Sequence, residues 1–317
     1  MELHATRTRV GRVIHTAQAL IDAVAEVPSI PRRGGNVMAT DFTRYAAGAV
    51  NILLAAHRQG AECVHAGAIG TGPNGDLIRR TLSEAGISLA GEPVLGLDSG
   101  ICFVMVEPGA ERTFVTTLGA ERQLSIDILQ ASNPRAGDVV CVSGYSLAVE
   151  STRTPLLTWL SLLPDGVGVV LDPGAAFAEL PDDVHETMLA LTTVWTGNLE
   201  ETEALTGVVG MEQAAAAAAD RLPTGSVIIV RDGARGCAVH AEDETVLVPG
   251  FPQTAVDTNG AGDCHTGAFI AARQHGDSWP QACLRANAAA AIKVTRRGPD
   301  TAPTQSEVDA FLAGHGA

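Results

Sequence analysis

Short apolar segments alternate with stretches of helical spacing along most of the chain, and this rhythm limits its fold more than any other feature. Each segment is rich in β-branched residues, and the helical stretch after it ends at a glycine or proline. The five clearest segments are residues 63–69, 139–143, 167–171, 193–195 and 227–230. Strands that alternate with helices build parallel βαβ units, so we expect an α/β fold with a parallel sheet.

A second group of strands interrupts this rhythm. Residues 101–107 and 113–117 are strand-like and are joined by Pro108, Gly109 and Ala110, which predicts a hairpin. Together with residues 36–43, the hairpin is expected to form a small separate sheet. The length of 317 residues then favours one large domain with an appendage. The alanine-rich run at residues 214–219 predicts a surface helix, because alanine is the best helix former.

Charge and cysteine usage exclude several classes of function. The formal net charge of −15 argues against a nucleic-acid partner, because phosphate backbones are bound by clustered Lys and Arg. The six cysteines never lie closer than nineteen positions apart, which gives no Cys-x-x-Cys metal or redox pair. Reduced thiols of a cytoplasmic protein fit this pattern.

The N-terminal region shows no targeting signal. Arg7, Arg9 and Arg12 precede an apolar run at residues 13–21, but polar residues interrupt that run and no small-residue cleavage site follows. We therefore expect neither a signal peptide nor a contact with a membrane.

Residues 257–263 read Asp-Thr-Asn-Gly-Ala-Gly-Asp and lead into a helix-compatible run at residues 264–274. Gly260, Ala261 and Gly262 are small enough for backbone N–H groups to approach an anion, and a helix that begins there adds its positive dipole end. The expected ligand is a phosphate. A carboxylate at Asp263 would repel it, so we expect Asp263 to accept a proton from an attacking hydroxyl. The alternative is an ordinary helix-start carboxylate that interacts with the dipole.

Other motifs accompany this heptapeptide. Asn198-Leu199-Glu200-Glu201 follows the pattern Asn-x-x-Glu, and further short motifs occur at residues 20–22, 31–34, 47–51, 67–70, 233–236 and 286–290. In this order they resemble the PfkB, or ribokinase-like, family of sugar and nucleoside kinases over nearly the whole chain. The resemblance implies an open, mostly parallel sheet flanked by helices. It also implies one domain over residues 1–317, with a small β-sheet lid from about residues 23–45 and 98–118.

The same resemblance implies the reaction and its cofactors. The chain is expected to transfer the γ-phosphoryl group of ATP, with Mg²⁺, to a hydroxyl of a sugar, sugar acid or nucleoside, by preference a primary CH₂OH. Asp263 is the implied general base, and the backbone of Gly260, Ala261, Gly262 and Asp263 is the implied anion hole. No Gly-x-x-x-x-Gly-Lys-Ser/Thr sequence occurs, so the phosphate cradle is not a P-loop.

Four residues match substrate-binding positions of the family, namely Asp22, Gly34, Asn51 and Arg112. Arg112 belongs to a segment similar to that of fructokinases and ketodeoxygluconate kinases, where an Arg faces a carboxylate or phosphate. Three of them have an ordinary alternative: Asp22 as a turn former at a strand end, Asn51 as an inward polar residue, and Arg112 as a solvated hairpin tip. Ala46 and Ala47 replace the Gly-Gly that is common in the family, and Leu20 replaces a polar residue of ribose-specific members, so ribose is not the default acceptor.

The implied nucleotide contacts are Asn198, Arg231, Gly233, Gly236 and Asn287. The two glycines could instead be turn residues, and alanines beside Asn287 indicate a packed helix.

Two metal sites are implied. Glu201 would hold Mg²⁺, through water if need be, although Asn198 and Glu201 also have the spacing of a helix capping box. Asp257 and Thr258 resemble an optional monovalent-cation loop that would bind K⁺. The histidines show no spacing typical of zinc ligands.

Two other functions remain open. Gly70-Thr71-Gly72-Pro73-Asn74-Gly75 has the Gly-x-Gly-x-x-Gly pattern of dinucleotide-binding oxidoreductases, with Glu92 and Asp98 about twenty residues further on. A non-catalytic relative that binds sugar or nucleotide is the other possibility, and the intact Asp263 argues against it. The family resemblance also allows a homodimer through the lid.

Overall fold

A computed structural model describes residues 11–109 and 111–316, so Arg7, Arg9 and Ala110 lie outside the described residues. The strands are β1 (Val13–His15), β2 (Ala19–Glu26), β3 (Asp41–Gly48), β4 (Cys63–His65), β5 (Ser88–Leu89), β6 (Ile101–Val106), β7 (Arg112–Thr116), β8 (Val139–Ser143), β9 (Gly168–Asp172), β10 (Val194–Asn198), β11 (Val227–Arg231), β12 (Gly236–Ala241) and β13 (Glu244–Pro249). The α-helices are α1 (Ala49–Arg58), α2 (Pro73–Glu84), α3 (Ile126–Gln130), α4 (Glu150–Leu160), α5 (Asp182–Leu191), α6 (Leu199–Thr206), α7 (Met211–Ala219), α8 (Ala261–Gln274), α9 (Trp279–Lys293) and α10 (Gln305–His315).

Nine strands form the large sheet, in the order β13-β12-β11-β10-β9-β8-β1-β4-β5. The strands from β11 to β5 pair in parallel, whereas β12 and β13 are antiparallel additions at one edge. The open, mostly parallel sheet is therefore confirmed, and the five predicted segments correspond to β4, β8, β9, β10 and β11. The predicted segment at residues 63–69 is longer than β4, which ends at His65. β1 was not predicted, because a buried strand of three residues is too short to show a period.

Helices cover both faces of this sheet. The core on one face lies beneath α1, α2, α8, α9 and α10, and the core on the other lies beneath α3 to α7. The alanine run is helical, as predicted, and its helix lies at the surface with Ala216 exposed and one face packed on the sheet. Ala214, Ala215 and Ala218 are fully buried, since such small side chains let α7 pack closely on β11 and β12.

The small sheet has four strands in the order β3-β2-β6-β7. β6 and β7 form the predicted hairpin, while β2 pairs antiparallel with β3 and parallel with β6. Asp22 lies within β2, opposite Tyr45 and Cys102, so its interpretation as a turn former at a strand end is wrong. Within the described ranges, every helix is too short or too polar to cross a membrane.

Candidate active site

Three neighbouring parallel strands end in polar residues at one edge of the large sheet. Asp172 is the last residue of β9, Asn198 of β10 and Arg231 of β11. These side chains line a cavity of ≈660 Å³ together with the N-terminal turn of α8 and residues of the small sheet. Ligands of open α/β sheets bind outside the carboxyl ends of the strands, and the cavity lies in that place.

The heptapeptide forms the turn into α8. Gly260 precedes the helix with φ +74°, a left-handed conformation that favours glycine. Ala261 N donates to Thr258 O, but no side chain of residues 11–109 or 111–316 caps the helix. Among the described residues, the N–H groups of Gly262 and Asp263 have no protein acceptor. These open donors at a helix N-terminus are suited to bind an anion.

Arg231 brings a guanidinium to the same turn. A side-chain carbon at Gly262 would lie 2.6 Å from Arg231 Nη1, so glycine leaves the room that this approach needs. The other end of the guanidinium donates to Thr196 O at 3.1 Å and to Asp172 Oδ2 at 3.4 Å. The cation is thus fixed beside the open N–H groups, where it would contact the same anion.

Asp263 lies in the first turn of α8 and points towards α1. Asn51 Nδ2 donates to Asp263 Oδ2 at 2.9 Å. Burial raises the pKa of Asp263 to about 6, and the charge of Asp172 adds to the rise, while the bond from Asn51 and the charge of Arg231 oppose it. A carboxylate with this pKa is ionised at neutral pH and is a better proton acceptor than an ordinary Asp.

Asp22 and Asn51 supply a second carboxylate and an amide close to Asp263, although neither is among the residues that line the cavity. Burial raises the pKa of Asp22 to about 6, against a hydrogen bond from the Asn259 side chain, and the charge of Asp22 also raises the pKa of Asp263. Asn51 is 6% exposed, and its Oδ1 atom has no partner among the described residues. Buried acceptors without partners are suited to hydroxyl groups of a ligand.

Asn198 and Glu201 make the capping box expected from their spacing. Asn198 N donates to Glu201 Oε2 and Glu201 N donates to Asn198 Oδ1, both at 2.8 Å. Both residues also line the cavity. Burial and the charge of Asp172 raise the pKa of Glu201, while the hydrogen bond from Asn198 N and the charge of Arg231 oppose the rise.

This set of oxygen atoms fits Mg²⁺. Among the described residues, no three His, Cys, Asp or Glu side chains lie close enough to hold a metal ion directly. Mg²⁺ keeps several waters and usually takes one or two carboxylates together with substrate phosphates. Asp172, Asn198 and Glu201 would therefore hold it largely through water.

Asp172 lines the cavity but was not predicted as a site residue. Its Oδ2 atom also accepts a hydrogen bond from Thr266 Oγ1 at 3.3 Å. One signal was available: this acid comes directly after the predicted strand at residues 167–171, at the edge where ligands bind.

Arg112 connects the small sheet to the heptapeptide. Its Nη2 atom donates to Asp257 Oδ1 at 2.6 Å and its Nη1 atom donates to Thr258 Oγ1 at 3.1 Å. The side chain is 16% exposed, so its interpretation as a solvated hairpin tip is wrong. The predicted monovalent-cation ligands, Asp257 and Thr258, are thus both in contact with a guanidinium.

The other predicted contact residues differ in whether they line the cavity and in whether they have room for a ligand. Gly233 lines the cavity, and the space next to its Cα atom is open. Gly236 also lines it, but a side chain there would collide with Val248 O. Asn287 also lines it, although its amide already bonds Val248 O, Pro249 O and the ring of His265. Gly34 lies instead in an exposed loop between β2 and β3, away from the cavity lining.

The second glycine-rich turn, residues 70–75, is already occupied by a carboxylate of the chain. Asp98 Oδ1 accepts from Gly75 N at 2.8 Å and Asp98 Oδ2 accepts from Asn74 N at 3.1 Å, so Asp98 caps α2. A dinucleotide would need these N–H groups for its pyrophosphate. The turn is therefore structural, and the oxidoreductase hypothesis loses its binding site.

Comparison with known proteins gives a consistent picture. A family model described as "pfkB family carbohydrate kinase" matches residues 12–306. The uncharacterised sugar kinase YegV of Escherichia coli strain K12 is 30% identical over 306 residues, covering 93% of this chain and 92% of that protein. A ribokinase of Haemophilus influenzae is 28% identical over 305 residues, covering 92% and 95%. The crystal structure of a putative ribokinase II from E. coli, in complex with ATP and Mg²⁺, is 24% identical, with a TM-score of 0.82 over 96% of this chain and 100% of that one.

Proposed function

The chain belongs to the pfkB family of carbohydrate kinases, and we propose that its cavity transfers the γ-phosphoryl group of ATP to a primary CH₂OH of a sugar, sugar acid or nucleoside. Members of this family are phosphotransferases with an alcohol group as acceptor, and this chain is one of them. One observation carries the residue assignment: Asp263, with its raised pKa, lies on the same helical turn as two N–H groups without protein acceptors.

In this proposal Asp22 and Asn51 bind hydroxyls of the acceptor, and Asp263 faces the hydroxyl that reacts. The hydroxyl oxygen forms a bond to the γ-phosphorus while the bond to the β–γ bridging oxygen breaks, which releases ADP. The hydroxyl proton passes to Asp263. The bond between Asn51 and Asp263 supports this arrangement, since it fixes the carboxylate beside the acceptor contacts.

The backbone of Gly260 to Asp263 and the guanidinium of Arg231 receive the negative charge that builds up on the transferred group. ATP supplies the phosphoryl group, and Mg²⁺ neutralises its oxygens when both are bound. Asn198, Glu201 and Asp172 would orient the metal through its water molecules, and Gly233 offers room for the nucleotide. The complex of the E. coli relative with ATP and Mg²⁺ supports these cofactors. K⁺ is left out of this proposal, because Asp257 and Thr258 already accept hydrogen bonds from Arg112.

The small sheet is proposed to close over the acceptor as a lid and to pair with the lid of a second copy. Its outer face carries exposed apolar side chains: Phe42 is 58% exposed, Phe103 is 46% exposed and Val115 is 57% exposed. Phe103 of β6 lies opposite Val115 of β7, and Phe42 lies on β3, which is separated from β6 by β2. Such a patch is unusual on the surface of a monomer.

A screen for ADP release tests the proposed reaction. The purified protein with Mg²⁺ and ATP would be offered ketoses, pentoses, ketodeoxygluconate and nucleosides, with the Asp263→Asn variant as the control. We expect acceptor-dependent ADP release by the wild type alone. Tight acceptor binding without ADP release would favour the non-catalytic relative, and equal release by both proteins would overturn the base assignment.

A further inference from the structure

Lys293 is the only lysine of the chain; the remaining members of its 21 Lys and Arg residues are arginines. It is the last residue of α9 and is fully buried. Lysine is almost never fully buried unless its ammonium group has partners. An isolated buried lysine in a chain that uses arginine at every other basic position needs a specific reason.

The ammonium group of Lys293 lies against the start of the heptapeptide. Its Nζ atom donates to the main-chain oxygen of Asp257 at 2.9 Å. The next residue, Val294, accepts with its own carbonyl from Val256 N at 2.7 Å and from Asp257 N at 3.1 Å. The end of α9 therefore holds the heptapeptide by its first residue, six positions before Asp263.

The charge of this group is compensated locally. Burial lowers the pKa of Lys293, whereas the charges of Asp257 and Asp263 oppose that change. Burial raises the pKa of Asp257, but hydrogen bonds from Asn259 N and Gly298 N and the nearby charges of Lys293 and Arg112 bring its net shift below the ordinary value. A carboxylate that stays ionised favours the protonated form of the lysine.

These contacts leave no fitting place for the monovalent cation expected at Asp257 and Thr258. Asp257 Oδ1 accepts from Arg112 and from Asn259 N, Oδ2 accepts from Gly298 N, and the carbonyl accepts from Lys293. The hydroxyl of Thr258 accepts from Arg112, and its carbonyl accepts from Ala261 N. A free cation would need these same oxygens, and it would be repelled by an ammonium and a guanidinium.

We propose that Lys293 is a tethered cation that positions the anion-hole loop through the carbonyl of Asp257, at the place where the family resemblance predicted an exchangeable monovalent cation. The inference rests on the proposed function of residues 260–263. An ammonium group is a compact point charge with three donors, whereas a guanidinium is planar and larger. The compact ammonium therefore suits this fully buried position beside the carbonyl of Asp257, where a planar guanidinium would need more space.

The first test compares ions on the wild-type protein. Calorimetry would measure binding of the Mg²⁺ complex of a non-hydrolysable ATP analogue in choline chloride, NaCl and KCl at equal ionic strength. Turnover would be measured in the same salts. We expect affinity and kcat to agree within about twofold in all three, because the required charge is already bound to the chain. Activation of binding or turnover by K⁺ would overturn the proposal.

The second test removes the charge. Lys293→Met keeps most of the volume, and Lys293→Ala opens a space for a small amine. We expect kcat to fall about 100-fold in choline chloride, as for displaced catalytic geometry, with little change in the KM of the acceptor. Methylammonium or ammonium should restore Lys293→Ala in a saturable way, but not Lys293→Met. Equal activity of Lys293→Met and wild type, or the absence of amine rescue in a folded Lys293→Ala, would contradict the role.

Arg58→Met is the matched control. Arg58 donates to Asp300 O at 2.6 Å and to Ala302 O at 2.8 Å, so it also ties a helix to backbone carbonyls, but these acceptors lie outside residues 257–263. Its variant should lose stability without any dependence on added amines. Amine rescue of Arg58→Met would mean that the effect on Lys293→Ala is a general stabilisation.

A spectroscopic readout keeps the test independent of folding defects and of the acceptor's identity. Protein labelled with ¹⁵N-lysine has one side-chain ammonium, so its NMR signal belongs to Lys293. We expect slow exchange with water and no change on addition of KCl in place of choline chloride. Fast exchange, or displacement of the signal by K⁺, would refute a tethered cation even if the kinase assignment holds. If the Lys293 ammonium signal exchanges slowly and does not respond to KCl, but no acceptor supports ADP release, the result would count against the proposed reaction and not against the tethered cation.

Discussion

The substitution Asp263→Asn separates the chemical role of this carboxylate from its structural role. Asparagine has the same shape, and its carbonyl oxygen can still accept the hydrogen bond from Asn51 Nδ2, which is 2.9 Å long in the wild type. The variant loses the ability to take up a proton. Loss of a positioned general base lowers kcat by about 10²- to 10⁴-fold. Nucleotide affinity should be retained, since removing a negative charge beside the phosphates does not weaken their binding.

The same change should stabilise the fold at neutral pH. The pKa of Asp263 rises from 3.8 to about 6, and a shift of roughly two units corresponds to about 3 kcal/mol of cost for the ionised form. Because the folded pKa lies above the unfolded one, the stability contributed by the protonated group is present below pH 4. It is lost as pH rises through about 6. The stability advantage of the Asp263→Asn variant over the wild type should therefore grow by about 1.4 kcal/mol between pH 5 and pH 8.

Two measurements decide these points. Rapid-quench assays of ADP formation, with calorimetry of Mg²⁺-nucleotide binding, give the kinetic effect, and urea unfolding at pH 5 and pH 8 gives the difference in free energy of unfolding. Turnover within tenfold of the wild type would refute the base assignment. A stability difference that is the same at both pH values would refute the origin given for the raised pKa.

Four further predictions concern the metal, the ionised carboxylates, the contact of the lid with the heptapeptide and the lid interface. Glu201→Gln keeps the capping box, because a glutamine oxygen can accept from Asn198 N, so the melting temperature should change little. The carboxylate is lost, so the Mg²⁺ concentration for half-maximal activity should rise several-fold. An unchanged magnesium titration would leave capping as the whole role of Glu201. The rate kcat/KM should increase as pH rises through about 6, where Asp22 and Asp263 lose their protons, and a flat profile from pH 5 to pH 7 would contradict ionised carboxylates in the reaction. Arg112→Met removes the tie between lid and heptapeptide and should raise the acceptor KM and the hydrolysis of ATP without acceptor, which a coupled ADP assay would detect. Phe103→Ser should shift sedimentation from dimer to monomer without changing the fold, and an unchanged sedimentation coefficient would count against the lid interface.

Local sequence patterns were sufficient for the fold class. Five buried strands, the hairpin β6–β7 and the presence of a helix at the end of the heptapeptide are encoded by neighbouring residues through period, turn chemistry and size. The same signal failed for β1, which is too short, and predicted a helical run from residue 264, whereas α8 begins at Ala261. The heptapeptide also located the candidate site, because small residues before a helix have few uses other than close approach of an anion.

The partners of each site residue followed only from the tertiary structure. Asn51 reaches Asp263 across 212 positions of sequence, and Arg112 donates to Asp257 while it also lines the cavity. Asp98 accepts a hydrogen bond from Gly75 N in the glycine-rich turn at residues 70–75, and Lys293 Nζ donates to Asp257 O of the heptapeptide. Residue identity determined which groups could donate, accept or carry charge. Which of them meet was decided by the packing of elements distant in the chain, because a hydrogen bond or a pKa shift depends on separations of a few ångströms that sequence spacing does not contain.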